Sequence, residues 1–128
     1  MLKIISPVDG SIYAERAYAS SQDIQATLQK ASAAQRDWKL KSIAERGAIC
    51  TKAVDAFIAQ KDRITQELAW QMGRPIRFGA GEVGGFEERA RYMISIAEDS
   101  LKSVDVGPKD GFVRYIKREP VGVVLTIA

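Results

Sequence analysis

The sequence predicts an incomplete α/β fold: an N-terminal β-hairpin, then four amphipathic helices, then two strands. The chain has 128 residues, of which 46% are hydrophobic and 27% charged, a balance typical of a globular domain. Apolar residues recur at spacings of three and four between residues 24 and 101, which predicts helices. The uncharged run over residues 121–128 does not alternate, which is typical of a strand covered on both faces of a parallel sheet.

The predicted hairpin occupies the first residues of the chain. Leu2 to Ile5 are apolar and rich in β-branched side chains, and a second short strand begins at Ser11. Between them, the sequence Pro-Val-Asp-Gly over residues 7–10 supplies the residue types that turns require.

The predicted helices are delimited by capping signals. Ser20 and Ser21 are N-cap candidates for the first helix, Ser42 and Glu45 have the spacing of a capping box, and Asp62 is an N-cap candidate for the third. The Gly and Pro that follow Met72 predict the end of the third helix. The predicted helices span residues 24–38, 43–59, 62–72 and 82–101.

Two strands are predicted after the helices. Residues 112–117 are aromatic and β-branched, and Pro120 separates them from the apolar run at 121–128. A strand buried on both faces needs neighbouring strands that the preceding residues do not supply. We therefore expect the chain to be the front part of a larger α/β protein, or to depend on a second chain that completes the sheet.

Composition excludes several classes of function. The chain contains no histidine, so it carries no Ser-His or Cys-His catalytic pair, and no metal site is recognisable. A net charge of +3 does not indicate a nucleic-acid or membrane partner. Cys50 is the single cysteine and is expected to be a small buried hydrophobe; with no signal-peptide segment at the start, it favours the cytoplasm.

One glycine motif invites a different function. Residues 79–84 match G-x-G-x-x-G, the pattern of a dinucleotide-binding loop. That loop follows a buried strand, whereas residues 74–78 contain a proline and two arginines, so we expect only a turn and a close-packed helix start here. A small independent dinucleotide-binding protein would depend on this motif alone.

Four segments, taken in order, resemble the aldehyde dehydrogenase superfamily. They are similar to the family's Asn-Pro-x-Thr-Gly opening, its Trp…Glu-Arg segment, its Thr-Gly-Lys-Pro-Ile…Glu-Val segment and its Arg-Glu-Pro-Val-Gly-Val-Val hallmark. Ser6 and Asp9 depart from the first motif. The segments are residues 6–10, Trp38 with 45–46, 72–76 with 81–83, and 118–124.

The resemblance implies an NAD(P)-dependent oxidation of an aldehyde to a carboxylic acid through a cysteine thiohemiacetal. The family's catalytic cysteine, general-base glutamate and Pro-Trp-Asn tripeptide would all follow Ala128, so no catalytic residue is expected in this chain. Ile127 and Ala128 match backbone positions that approach the NAD or NADP cofactor. The fourth helix resembles one that flanks the substrate tunnel, which makes Gly85, Phe86 and Arg89, together with Tyr92, tunnel candidates.

The sequence thus predicts the N-terminal portion of an aldehyde dehydrogenase, inactive by itself. Residues 1–111 would form the hairpin and helices, 112–120 a strand of the oligomerisation arm, and 121–128 the first strand of the Rossmann-like cofactor domain. The expected partners are the remainder of the enzyme, further copies in a homo-oligomer, and a small aldehyde. The alternative is a stand-alone helical interaction module that completes a partner's sheet.

Overall fold

A computed structural model describes residues 1–127 of the chain. Within them, two small antiparallel sheets flank a run of helices, and α4 packs against both α2 and α3. The elements are β1 Leu2–Ile5, β2 Ile12–Arg16, α1 Ser21–Trp38, α2 Ile43–Ile58, α3 Lys61–Met72, α4 Ile76–Leu101, β3 Val104–Asp105 and β4 Tyr115–Ile116.

The predicted N-terminal hairpin is confirmed, and its turn docks on the end of α3. Strands β1 and β2 pair with Leu2 opposite Arg16, and the register shifts between Ile4 and Ile5. Ser6 is completely buried, and its hydroxyl donates a hydrogen bond of 2.8 Å to the carbonyl oxygen of Trp70. The hairpin is therefore fixed to the helices by a buried polar contact.

The helices begin where the capping signals indicate, with one exception. Ser20 caps α1 in a reciprocal box with Asp23, and Ser42 caps α2 in a box with Glu45. The prediction that Asp62 caps the third helix is wrong, because α3 already begins at Lys61 and its N-cap, Gln60, makes no side-chain capping bond. Asp62 lies in the first turn, where its negative charge favours the helix dipole.

Helix α4 begins six residues before the predicted start, at Ile76 rather than Glu82. The glycines at 79–84 therefore lie inside the helix, and the turn expected there is wrong. At Gly79 the low helix propensity of glycine is offset by packing, because a Cβ there would lie within 3 Å of both Thr65 Cγ2 and Thr65 Cβ. Only glycine lets α3 and α4 approach this closely.

The region after α4 contains less regular structure than the sequence predicts. Of the strand predicted over 112–117, only Tyr115–Ile116 is a strand, and it pairs with Val104–Asp105. Residues 121–127 belong to no strand, and Val121, Leu125 and Ile127 are 93%, 79% and 87% exposed. The expected burial does not occur in residues 1–127, because no strand among them lies alongside this run to pair with its backbone.

Candidate functional site

A concavity of about 330 Å³ lies along one stripe of α4. Arg77, Gly81, Gly85 and Arg89 succeed one another at intervals of four residues, so they share one side of the helix. The complete lining is Arg74, Arg77, Phe78, Gly81, Glu82, Gly85 and Arg89.

Positive charge dominates the lining. One of the three guanidinium groups is neutralised, since Arg74 Nη2 lies 2.5 Å from Glu82 Oε1. Arg77 and Arg89 form no ion pair with any residue among 1–127. The guanidinium carbons of Arg74 and Arg77 lie 5.3 and 4.7 Å from the centre of the Phe78 ring, which fits cation–π contacts at the rim.

Gly81 and Gly85 form the floor of the concavity, so this floor consists of backbone atoms. A Cβ on Gly81 would meet no atom within 4 Å, so the space above it is open. A Cβ on Gly85 would lie 3.4 Å from Arg89 Nη1. The Arg89 side chain therefore folds back towards the N-terminus of α4 and places its guanidinium group over Gly85, the direction in which helical side chains lean.

The structure separates the four tunnel candidates. Gly85 and Arg89 line the concavity. Phe86 is turned about a quarter of the helix circumference away from Gly85, and its ring contacts Phe57 of α2 at a centroid distance of 4.4 Å. Tyr92 is 62% exposed and does not line the concavity.

Sequence reasoning did not assign Arg77 or Gly81 to this site. Arg77 and Gly81 join Gly85 and Arg89 in one stripe only when the helix begins at Ile76, and a start at Glu82 leaves them in a loop. The i, i+4 spacing of these four residues was the signal that could have found them.

The cofactor candidates do not form a site within the described residues. Ile127 is exposed and lies in no strand, and Ala128 is outside the residues that the structure describes. The glycine motif at 79–84 is helix interior and offers no free loop amides to a phosphate. Residues 1–127 alone therefore do not fit a dinucleotide.

The prediction of a buried Cys50 is wrong, since Cys50 is exposed. It borders a shallow groove between α2 and the C-terminal half of α4.

Among residues 1–127, no group of three or more His, Cys, Asp or Glu side chains is placed to hold a metal ion. Over the same residues, the structure contains no helix with the length and apolar character needed to span a membrane.

Comparison with known proteins decides the family. A sequence model described as the aldehyde dehydrogenase family matches residues 1–128. The chain belongs to the aldehyde dehydrogenase family. The resemblance recognised in the four sequence segments is thereby confirmed.

Individual relatives agree with this assignment. The Streptomyces coelicolor protein named 3,6-anhydro-alpha-L-galactose dehydrogenase is 28% identical over 126 residues, which is 98% of this chain and 25% of that protein. Betaine aldehyde dehydrogenase 2 of Rhizobium meliloti is 31% identical over 125 residues, covering 96% of this chain and 25% of that protein. This aldehyde dehydrogenase chain thus spans about a quarter of the length of these relatives.

Two solved structures share the fold. The crystal structure of PnpE in complex with nicotinamide adenine dinucleotide matches with a TM-score of 0.84 and 27% identity, over 94% of this chain and 25% of that chain. PnpE from Pseudomonas sp. WBC-3 matches in a second structure with a TM-score of 0.79, over 89% of this chain and 23% of that chain. These matches confirm the predicted α/β fold. The family match favours the dehydrogenase interpretation over a stand-alone interaction module.

Proposed function

We propose that this chain is the N-terminal portion of an NAD(P)-dependent aldehyde dehydrogenase, with the catalytic residues outside it. The observation that carries the proposal is the match of the aldehyde dehydrogenase family model to residues 1–128, together with the match of almost the whole chain to a quarter of betaine aldehyde dehydrogenase 2. In the reaction that the family implies, a cysteine thiolate attacks the aldehyde carbon, and a water activated by glutamate releases the carboxylic acid. NAD or NADP, when bound, accepts the hydride.

Within that enzyme, we assign this chain a structural and substrate-binding role. The exposed apolar run at 121–127 supports a place in a larger sheet, because large apolar patches on a protein surface usually contact another segment. Residues 121–128 would become the first strand of the cofactor domain, with Ile127 and Ala128 near the dinucleotide. Residues 112–120 would join the oligomerisation arm of a homo-oligomer.

The concavity on α4 supports the substrate-binding part of this role. Gly85 and Arg89 line it, and both are tunnel candidates by family resemblance. Its volume of about 330 Å³ lies at the lower end of the range common for small-molecule sites, roughly 300 to 1,000 Å³. This wall of the tunnel would bind and orient the aldehyde while the chemistry takes place on the catalytic residues.

We further propose a reducing compartment, the cytoplasm, for the enzyme. Cys50 is free and exposed, and the chain has no second cysteine with which it could form an internal disulfide. An exposed thiol is compatible with a compartment in which thiols are kept reduced.

The test is to express the complete open reading frame that contains these 128 codons and to measure reduction of NAD and NADP with a panel of aldehydes. We expect aldehyde-dependent reduction by the complete product and none by the 128-residue chain alone. If the complete product oxidises none of the aldehydes, the proposal is overturned. Activity of the 128-residue chain by itself would also overturn it.

A further inference from the structure

We propose that the aldehyde substrate carries a carboxylate, and that Arg89 binds this carboxylate in the concavity on α4. The proposal rests on the proposed function and narrows it from aldehydes in general to anionic semialdehydes. It would make Arg89 a residue that determines specificity, separate from the catalytic residues.

The first support is the charge that remains after internal pairing. Of the four charged residues in the lining, Arg74 and Glu82 pair with each other. Arg77 and Arg89 have no carboxylate partner within residues 1–127, so the concavity retains two positive charges. An open concave site with surplus positive charge attracts anionic ligands and repels cationic ones.

The second support is the geometry around Arg89. Its guanidinium group lies over Gly85, where the absence of a side chain leaves it room and keeps one side of the cavity open. A planar guanidinium group binds a carboxylate through two parallel N–H···O bonds, a geometry that lysine does not provide. Gly81, one turn earlier, leaves open space in which the rest of an extended substrate can lie.

The remaining lining residues assign the other parts of the site. Arg77 lies against the Phe78 ring, 4.7 Å from its centre, so it would raise the local positive potential at the entrance rather than make the bidentate contact. Glu82 would repel a carboxylate if it were free, but its ion pair with Arg74 offsets that charge. These contacts leave Arg89 as the group available to the substrate.

The kinetic test uses the complete open reading frame product and matched pairs of substrates. Succinic, glutaric and adipic semialdehydes are each compared with their methyl esters, which have the same chain but no charge. We expect kcat/KM for at least one semialdehyde to exceed that for its ester by about tenfold or more, as for a hydrogen-bonded charge. The advantage should shrink as salt is added, because salt screens the guanidinium charge.

Three variants separate carboxylate binding from a general structural effect. Arg89→Gln should remove the preference, lowering kcat/KM for the semialdehyde about tenfold while leaving that for the ester within about twofold. Arg89→Lys should restore part of the preference through charge without bidentate bonding. Arg36→Gln, on α1 and outside the concavity, removes one arginine elsewhere and should change neither substrate.

A binding measurement distinguishes failure of this proposal from failure of the proposed function. Glutarate and its neutral diamide are titrated calorimetrically into the same protein and into its Arg89→Gln variant. If no aldehyde is oxidised but glutarate binds in an Arg89-dependent manner, the proposed function fails and the carboxylate site is supported. If aldehydes are oxidised with equal kcat/KM for acid and ester, or if Arg89→Gln lowers both alike, the carboxylate site is overturned.

Discussion

The two sides of helix α4 have opposite characters although they share one backbone. On one side, Gly79, Val83 and Phe86 pack against α2 and α3, and Val83 is only 2% exposed. On the other, Gly81 and Gly85 form an open floor beneath arginine side chains. The same residue type, glycine, brings helices together on one side and leaves room for a ligand on the other.

This difference shows that a glycine in a helix cannot be interpreted from the sequence alone. Each glycine costs the helix roughly 1 kcal/mol relative to alanine, so a glycine-rich stretch suggests a turn. At Gly79 this cost is offset by close packing on Thr65. At Gly81 there is room for a side chain, because no described atom lies within 4 Å of the position a Cβ would take. Substitutions at the two positions should therefore have effects of opposite sign.

The largest expected effect is at Gly79. Gly79→Ala places a Cβ within 3 Å of two side-chain carbons of Thr65, so α3 and α4 must separate. We expect a loss of about 1 to 3 kcal/mol of unfolding free energy, in the range of overpacked cores. Urea titration of the chain, followed by helical circular dichroism, measures this.

Gly81→Ala is the matched control two residues away. Its Cβ meets nothing within 4 Å, so only the better helix propensity of alanine applies, and the unfolding free energy should rise by roughly 0.5 to 1 kcal/mol. Equal effects of the two substitutions would show that the two sides of α4 do not differ as described.

Local sequence patterns predicted most of the helical region. The capping boxes at Ser42 and Ser20 and the glycine stop after Met72 act within a few residues, so a single chain segment contains the whole signal. The start of α4 and the exposure of Cys50 depend instead on how distant elements pack. Such contacts leave little trace in local periodicity.

The candidate site shows the same limit. Family resemblance pointed to Gly85 and Arg89, which do line the concavity, but also to Phe86, which packs against α2. Residues four apart on this helix share one side, whereas Phe86, one residue after Gly85, is turned about a quarter of the circumference away from it. Without the true start of α4, the sequence could not show that Arg77 shares the side of Arg89.

A medium effect is expected at the beginning of α2, the helix on which the packed side of α4 lies. Ser42→Ala removes the hydroxyl that accepts from the Glu45 amide at 3.1 Å, which should cost about 1 kcal/mol of unfolding free energy. Lys52→Ala, in the middle of the same helix, is the control and should have a smaller effect.

The same capping box predicts a pH dependence. The Ser42 amide, and then its hydroxyl, lower the pKa of Glu45 below its ordinary value. A carboxyl whose pKa is lowered by folding stabilises the fold above its unfolded pKa, about 4.3, and this contribution is lost as the pH falls through the folded pKa. Glu45→Gln should flatten this part of the stability profile, and an unchanged acid slope would contradict the role of the box.

The smallest effect is expected where α4 meets α2 at the edge of the packed side. Arg91 Nη2 lies 2.6 Å from Asp55 Oδ1 on α2, and Arg91 Nε lies 2.9 Å from Glu87 Oε1 on its own helix. All three side chains are more than a third exposed, so water and salt weaken the attraction. A double-mutant cycle with Arg91→Gln and Asp55→Asn should give a coupling energy smaller than the loss of unfolding free energy in Ser42→Ala.

The coupling energy between Arg91 and Asp55 should decrease further in high salt. The destabilisation by Gly79→Ala should not, because steric overlap does not depend on ionic strength. A salt-insensitive coupling between Arg91 and Asp55 would mean that this edge of α4 is held by packing as well as by charge.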